Sequence, residues 1–384
     1  GTLRMPSACR RLIGYVNPVL RTVSATYPMA GWSALSSCAP GAPQIIQTGI
    51  ILMKRAAFLC GSSDNIERVY GRGRREQLAE LVDLYPAVIT GADFAGHAAI
   101  LPQLEVVFST WGMPSLEAGQ LEQMPALQAV FYAAGSVKSF ALPLLRHGIV
   151  LSSGWGANAV PVAEFALAQI LLSCKGYFRN TRDCGSSSLR RAGQVFSGPG
   201  VFGETIGLIG MGMVGRTLAR RLQGYALNVL GYDPYLDAAS AGELGVKPVD
   251  LEELFTCSLV VSNHLPNIPE TQRLLDARLF TSMRPNATFI NTARGAQVDE
   301  DALIATLERR PDLTALLDVT SPEPPESDSG FYALPNVQLS SHIAGSINDE
   351  VVRMADYMID EFKRWEQGEA LHYQVSTAML ETMA

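Results

Sequence analysis

No aspartate or glutamate occurs before Asp64, although Arg4, Arg10, Arg11, Arg21, Lys54 and Arg55 all precede it. An acid-poor start with arginine, serine and threonine has the composition of an organelle transit segment. It equally suits an extension ahead of the true start, because Met53 is followed at once by the strand-like run Lys54–Cys60. Either way, residues 1–52 are expected to be poorly ordered and to take no part in chemistry. That stretch has no continuous apolar region of the kind a secretory signal needs. No uninterrupted apolar run anywhere reaches the ~18 residues of a membrane span, so a membrane partner is not expected.

Cysteine pairing is also missing. The six cysteines, at positions 9, 38, 60, 174, 184 and 257, form no CxxC and have no histidine at ligand spacing. No metal site is expected; the reading is free buried thiols in a reducing, cytoplasmic setting. Charge is sparse: 17% of residues are Asp, Glu, Lys or Arg, with a net charge of −7. A mildly acidic chain argues against nucleic acid or an anionic membrane as partner. An anionic substrate would then need a basic residue inside a cleft.

What the sequence does have is apolar material, 47% of 384 residues, and 34 glycines. At ~100–200 residues per domain, two domains and a tail are expected. From residue 54, short apolar runs alternate with helical segments. Ala56–Cys60, Ala87–Thr90, Glu105–Ser109, Leu127–Tyr132 and Ile149–Ser152 read as strands, and Ile66–Val82 and Val137–Arg146 as helices. Ala157–Lys175 reads as a buried crossover helix. A second series follows. Its strands are Thr205–Gly210, Asn228–Tyr232, Ser258–Ser262, Thr288–Thr292, Thr314–Val319 and Val337–Ser340; its helices include Val214–Gln223 and Glu300–Arg309. The amphipathic segment Asn348–Gly368 is expected to return to the first lobe. The pattern implies α/β lobes with doubly wound parallel sheets and a ligand cleft between them.

Gly210, Gly212 and Gly215 form GxGxxG where a strand ends and a helix opens, the setting the motif needs. Gly210 makes the tight turn, Gly212 lets a pyrophosphate meet bare backbone, and Gly215 lets the helix pack close. The N–H groups of Met213 and Val214 then face the phosphates from the positive helix end. Asp233 closes the next strand, 23 residues after Gly210. A carboxylate there accepts from ribose hydroxyls and repels the extra phosphate of NADP, so NAD (as NADH when reduced) is the expected cofactor.

Several further segments occur in a characteristic order: Gly156-Ala-Asn-Ala-Val-Pro-Val-Ala-Glu164, His264-Leu-Pro266 with Pro269-Glu-Thr271, and Ile290-Asn-Thr-Ala-Arg-Gly295. They continue with Leu317-Asp-Val319, Pro322-Glu-Pro324 and Ser341-His-Ile-Ala-Gly-Ser346. With these, the chain from about Met53 onward resembles the D-isomer-specific 2-hydroxyacid dehydrogenases, a family that includes D-lactate, D-glycerate and D-3-phosphoglycerate dehydrogenases. The resemblance implies a Rossmann NAD-binding domain, residues 154–345, inserted in a flavodoxin-like substrate domain, residues 53–153 and 346–384. It implies hydride transfer between nicotinamide and C2 of a 2-hydroxy or 2-oxo acid of D configuration.

The catalytic arginine of the family falls on Arg294, whose fork would grip the substrate's carboxylate and carbonyl oxygens. His342 falls on the acid–base histidine and Glu323 on its carboxylate partner. Asp318 matches a residue that meets the nicotinamide carboxamide, with Thr292 and Ala293 contributing backbone contacts. His264 lies at a position near the adenosine; Pro266, Thr271, His342 and Gly345 complete the cofactor set. Ala134, Gly135 and Ser136 match the loop whose amides hold the substrate carboxylate.

The sequence departs from the family at Lys138, where many members carry an acid or amide. The lysine either favours a second negative group or faces solvent. The loop Phe108–Pro114 lacks the arginine of phosphoglycerate enzymes, so a non-phosphorylated substrate is expected. Trp111, with Met113 and Trp155, either lines the substrate pocket or belongs to core or dimer contacts. A homodimer is expected, because the resemblance implies one and the crossover helix is too apolar to face water. The alternative to an enzyme is an NADH-responsive binding or co-regulator protein on the same fold.

Overall fold

The computed structural model describes residues 53–381. The expectation for residues 1–52, and Cys9 and Cys38 with it, lies outside the described residues.

Five strands form the first sheet: β1 (Arg55–Leu59), β2 (Asp83–Ile89), β3 (Val106–Ser109), β4 (Ala129–Tyr132) and β5 (Val150–Ser153). Their order is β2-β1-β3-β4-β5, all parallel. Between them run the helices α1 (Ser63–Tyr70), α2 (Arg74–Ala79), α3 (Ala118–Leu121) and α4 (Ala141–Arg146). The chain leaves through the crossover helix α5 (Trp155–Cys174) and two short helices, α6 (Tyr177–Cys184) and α7 (Ser187–Arg191). The 20-residue α5 is apolar enough for a bilayer, but it packs Ala163, Ala166, Ile170 and Cys174 into the core of the second lobe.

The second sheet has seven parallel strands: β6 (Thr205–Ile209), β7 (Asn228–Tyr232), β8 (Val246–Pro248), β9 (Val260–Asn263), β10 (Thr288–Asn291), β11 (Thr314–Leu317) and β12 (Val337–Leu339). Their order is β12-β11-β10-β9-β6-β7-β8. The helices α8 (Met213–Leu222), α9 (Ala238–Leu244), α10 (Leu251–Cys257), α11 (Ala277–Ser282) and α12 (Glu300–Arg309) cover it. Near-continuous apolar strands such as Val106–Ser109 and Thr288–Asn291 are buried at every position, as sheets covered on both faces require.

The last helix, α13 (Val352–Glu366), lies on the first sheet, not the second. Met354, Ala355, Met358, Ile359 and Phe362 repeat at helical spacing and are all buried. Phe362 meets Phe108 and Phe131 with ring centroids 5.5 and 5.7 Å away. Behind it Glu361, 1% exposed, accepts hydrogen bonds from Ser152 Oγ and from the amides of His372 and Tyr373.

Three expectations need correction, and three elements were not expected. The single helix over Ile66–Val82 is two helices, broken at Arg72 and Gly73, whose φ angles are +55° and +86°. The helix expected over Val137–Arg146 begins only at Ala141. Strand β8 and helices α6 and α7 have no counterpart in the sequence pattern, being short or polar. The thiols are not uniformly buried: Cys60 and Cys174 are, whereas Cys184 and Cys257 are exposed.

Candidate active site

Strand order reverses where β6 lies between β7 and β9, and at this switch point a parallel sheet opens a crevice beyond its strand ends. The glycine loop occupies it. Gly210 has φ +86°, and a Cβ there would lie 2.6 Å from His264 O. A Cβ on Gly215 would lie 2.1 Å from Gly210 O, so α8 sits against the turn as only glycine permits. A Cβ on Gly212 would have nothing within 4 Å. No side chain caps α8, and the amides of Met213 and Val214 have no acceptor among the described residues. Bare backbone, open space and free amides at a helix start fit a pyrophosphate.

Asp233 holds this loop together. One carboxylate oxygen accepts from Met211 N at 2.7 Å and the other from Tyr235 N at 2.8 Å. Each oxygen keeps a further lone pair for a ribose hydroxyl. Arg216, which sequence reasoning passed over, folds back so that Nε donates to Met211 O at 2.9 Å. The adjoining loop after β9 is stapled internally: Thr271 Oγ1 lies 2.6 Å from Pro266 O and accepts from Ile268 N. Thr271 therefore shapes the loop through its own backbone. His264 lies 3.0 Å from Ser262 Oγ through Nε2 and 3.4 Å from Thr292 Oγ1 through Nδ1, and burial pushes its pKa down to about 4.

Arg294 follows β10. Its backbone is set by a buried amide network that sequence reasoning also missed. Asn263 Nδ2 donates to Asn291 Oδ1 and Gln297 Oε1, Gln297 Nε2 to Leu265 O, and Asn291 Nδ2 to Arg294 O. Asn291 Oδ1 also accepts from Ala293 N, and Gln297 Oε1 from Arg294 N. All three amides are 0–1% exposed. The Arg294 guanidinium donates to Ala293 O at 2.7 Å and pairs with no carboxylate among the described residues. A partly buried cation without a counter-ion is costly unless an anion arrives.

The next strands supply the other two groups. His342 Nδ1 lies 2.7 Å from Glu323 Oε1. With Glu323 ionised, Nδ1 donates, and Nε2 has no partner among the described residues. His342 sits at φ +57°, a costly conformation for a non-glycine residue. Asp318, 2% exposed, is what holds it there. Its Oδ1 accepts from Ser340 Oγ (2.6 Å) and Ile343 N (2.9 Å), its Oδ2 from Ala344 N (2.9 Å), and its carbonyl from His342 N (3.0 Å). Glycine brings the arginine and glutamate loops together, because a Cβ on Gly295 would lie 2.0 Å from the Thr320 carbonyl carbon. Arg294, Glu323 and His342 thus follow β10, β11 and β12, three successive neighbours in one sheet.

On the first lobe, the amides of Gly135 and Ser136 have no acceptor among the described residues, while the Ala134 N–H is spent on Tyr132 O. Ser153 Oγ fixes the loop from behind through the carbonyls of Ala134 and Gly135. Gly345 and Ser346 meet this region through Asn158 of α5, whose Oδ1 accepts from Ser346 N at 2.9 Å. Lys138 is not simply in solvent: Nζ donates to Asn267 O in the second lobe at 3.1 Å. Trp111 packs on the first core, its carbonyl accepting from Asn65 Nδ2 at 2.9 Å. The Arg68 guanidinium lies over the Trp111 ring, 5.0 Å from its centroid. This brings to the loop a cation that its own sequence lacks. Trp155 meets Tyr373 edge-on at 6.2 Å.

Comparison with known proteins adds to this geometry. Residues 167–344 match the family model described as D-isomer specific 2-hydroxyacid dehydrogenase, NAD binding domain. The chain is 31% identical over 236 residues to a D-3-phosphoglycerate dehydrogenase of Archaeoglobus fulgidus, covering 62% of this chain and 44% of that protein. It spans about half the length of the curated relatives it matches. Among solved structures, a phosphoglycerate oxidoreductase from Rhizobium etli is similar at TM-score 0.69 and 24% identity, covering 85% of this chain and 99% of that one. The apo D-mandelate dehydrogenase of Rhodotorula graminis is similar at TM-score 0.68 and 23% identity, covering 85% and 98%.

Proposed function

The chain belongs, through its NAD-binding domain, to the D-isomer-specific 2-hydroxyacid dehydrogenase family, and from that premise we propose that it interconverts a small 2-oxo acid and its D-2-hydroxy acid. The observation that carries this reading is the Arg294 guanidinium, without a carboxylate partner among the described residues, one strand away from a loop whose glutamate already holds an imidazole at 2.7 Å. Bound nicotinamide supplies or accepts the hydride at C2. Arg294 grips the carboxylate and polarises the adjacent carbonyl, and the free amides of Gly135 and Ser136 take the outer carboxylate oxygen. His342 donates a proton to the carbonyl oxygen during reduction and takes it back during oxidation. Glu323 fixes the ring's tautomer and stabilises its charged form.

Residues 154–345 serve as the nucleotide lobe and residues 53–153 with 346–384 as the substrate lobe. Met213, Val214, Asp233 and the glycine loop hold the dinucleotide, while Thr292, Ala293 and Asp318 border the nicotinamide. Asp318 acts there mainly by shaping the histidine loop, because three donors of its own lobe already occupy its carboxylate. The four cysteines among the described residues are free thiols, which suits a reducing compartment, and we assign a cytoplasmic homodimer.

The Phe108–Pro114 loop has no arginine of its own, which supports a non-phosphorylated acid. Arg68 over Trp111, together with the names of the curated relatives, favours a second reading in which the acid carries a 3-phosphate. One assay separates them. NADH oxidation is followed with glyoxylate, pyruvate, hydroxypyruvate, a bulky 2-oxo acid and a 3-phospho-2-oxo acid. The expected result is turnover with one or more unphosphorylated acids at a kcat/KM at least ~10-fold above the phosphorylated one. Preference for the phosphorylated acid selects the second reading. Silence on all of them, with NADH still bound, leaves the co-regulator reading.

A further inference from the structure

Glu300 opens α12 and takes no part in the acid–base pair described above, yet its side chain reaches the loop that carries Glu323. Its Oε1 accepts from Ser321 N at 2.8 Å. Ser321 is two residues from Glu323, and the intervening backbone is already constrained. Thr320 Oγ1 donates to Pro322 O at 2.8 Å, and Gly295 presses on the Thr320–Ser321 peptide so closely that a Cβ would lie 2.4 Å from Ser321 N. Among the described residues, the Ser321 amide is therefore the one backbone group of this turn that a side chain from a different element grips. The other end of the same turn is the carboxylate that holds His342 at 2.7 Å.

We propose that Glu300 is a positioning residue that, by accepting the Ser321 amide, holds the Glu323 carboxylate in register with His342. The inference rests on the reading of Glu323 and His342 as the acid–base pair. The helix start alone does not account for this geometry, because the capping is done by Asp299, whose Oδ1 accepts from Ala302 N. Glu300 is thus free to face the neighbouring strand's loop.

The tether is also sensitive to protons. Burial pushes the Glu300 carboxyl up to about 7, the neighbouring Asp301 pushes in the same direction, and the Ser321 amide and Arg273 oppose them. Arg273 is itself shared with Asp299 at 2.8 Å, so it offsets only part of the cost. On the facing loop the charged group is Glu323. Above neutrality Glu300 is ionised and its bond to Ser321 is charge-assisted; below, the bond weakens to that of a neutral carbonyl. The opposite sign applies to stability. A carboxyl raised in the folded state keeps a proton that the unfolded chain has released, so its contribution declines as pH rises from the ordinary glutamate range through about 7.

The test uses the full chain and its Glu300→Gln and Glu300→Ala forms. Glutamine keeps an acceptor for Ser321 but does not titrate. Three readouts apply: the Ser321 amide resonance against pH, the His342 Nδ1 proton resonance, and the pH profile of kcat. In the parent protein the Ser321 amide should titrate with a midpoint near 7, and Glu300→Gln should abolish that step. Glu300→Ala should move or lose the His342 Nδ1 signal and lower kcat ~10-fold with KM for NADH unchanged, while Glu300→Gln restores both. The melting temperature of Glu300→Gln should overtake that of the parent as pH rises from 5 to 8.

A His342 Nδ1 signal identical in all three proteins overturns the proposal. Should the alanine form not fold, the glutamine form decides: loss of the pH-dependent step supports the tether, and its persistence overturns it. A parent protein inactive on every 2-oxo acid would sink the dehydrogenase reading, and the two resonances would still decide the tether.

Discussion

Five helices follow the strands from β6 onward up to β12, and they begin in two different ways. Each of α9, α10, α11 and α12 is capped by an aspartate: Asp237, Asp250, Asp276 and Asp299 accept from an amide in the first turn. Helix α8 alone among the five has no side-chain cap. A cap is worth about 1 kcal/mol, so its omission at the glycine loop leaves amides that an anionic ligand can use. The corner at the ends of β10–β12 shows the reverse economy. Asn263, Asn291, Gln297 and Asp318 tie down the backbone around these strand ends, and among the described residues the Arg294 guanidinium is left without a carboxylate and the His342 Nε2 without a partner. One region is built by withholding side-chain partners from its backbone, the other by supplying them while part of two side chains stays open. Binding and turnover should therefore separate cleanly on substitution.

The sharpest separation is expected at Arg294. Arg294→Ala should lower kcat/KM for the 2-oxo acid ~1,000-fold or more, about 4 kcal/mol, with NADH affinity measured by fluorescence titration unchanged. A parallel loss of NADH binding would merge the two regions. Next come the glycines, whose surroundings differ. Gly212→Ala meets open space, so the melting temperature should hold while NADH binding weakens ~10-fold. Gly215→Ala would put a Cβ 2.1 Å from Gly210 O and should cost stability itself, about 2 kcal/mol by denaturant unfolding. Equal effects of the two changes on stability would contradict the division between open and packed glycine. The smallest effect is expected at Asp233. Asp233→Ala should reduce the NADH over NADPH preference ~10-fold, and an unmoved ratio would confine the carboxylate to its bonds with Met211 and Tyr235.

Strand runs and the glycine loop were legible because each rests on local rules. A buried parallel strand must be apolar throughout, and a turn at φ +86° must be glycine. The break in the first helix was not, because Val69, Tyr70, Leu78 and Val82 keep an apolar rhythm across it; the only signal was Gly71-Arg72-Gly73. Arg294, Glu323 and His342 were legible through motif context, not through their own chemistry. What supports them was hidden, since burial decides it. Asp318 could be read as a strand-end acid, but only its 2% exposure and its four contacts with Ser340–Ala344 reveal a clamp on the histidine loop. Glu300 looks like an ordinary acid in the first turn of a helix, and its approach to Ser321 is a tertiary fact. Arg68 and Trp111 lie 43 residues apart in sequence, so a cation supplied to an arginine-free loop from a different helix leaves no trace in that loop.

The return of α13 to the first sheet sets the order in which the protein can mature. Phe58, Phe108 and Phe131 emerge from the ribosome long before Phe362, their partner on the same face. The first lobe must wait, with one apolar face only partly covered by α1 and α2, while the whole nucleotide lobe is synthesised. Helix α13 completes the cover, so the interval before it is made is when this face of the nascent lobe is most exposed to aggregation and most in need of a chaperone.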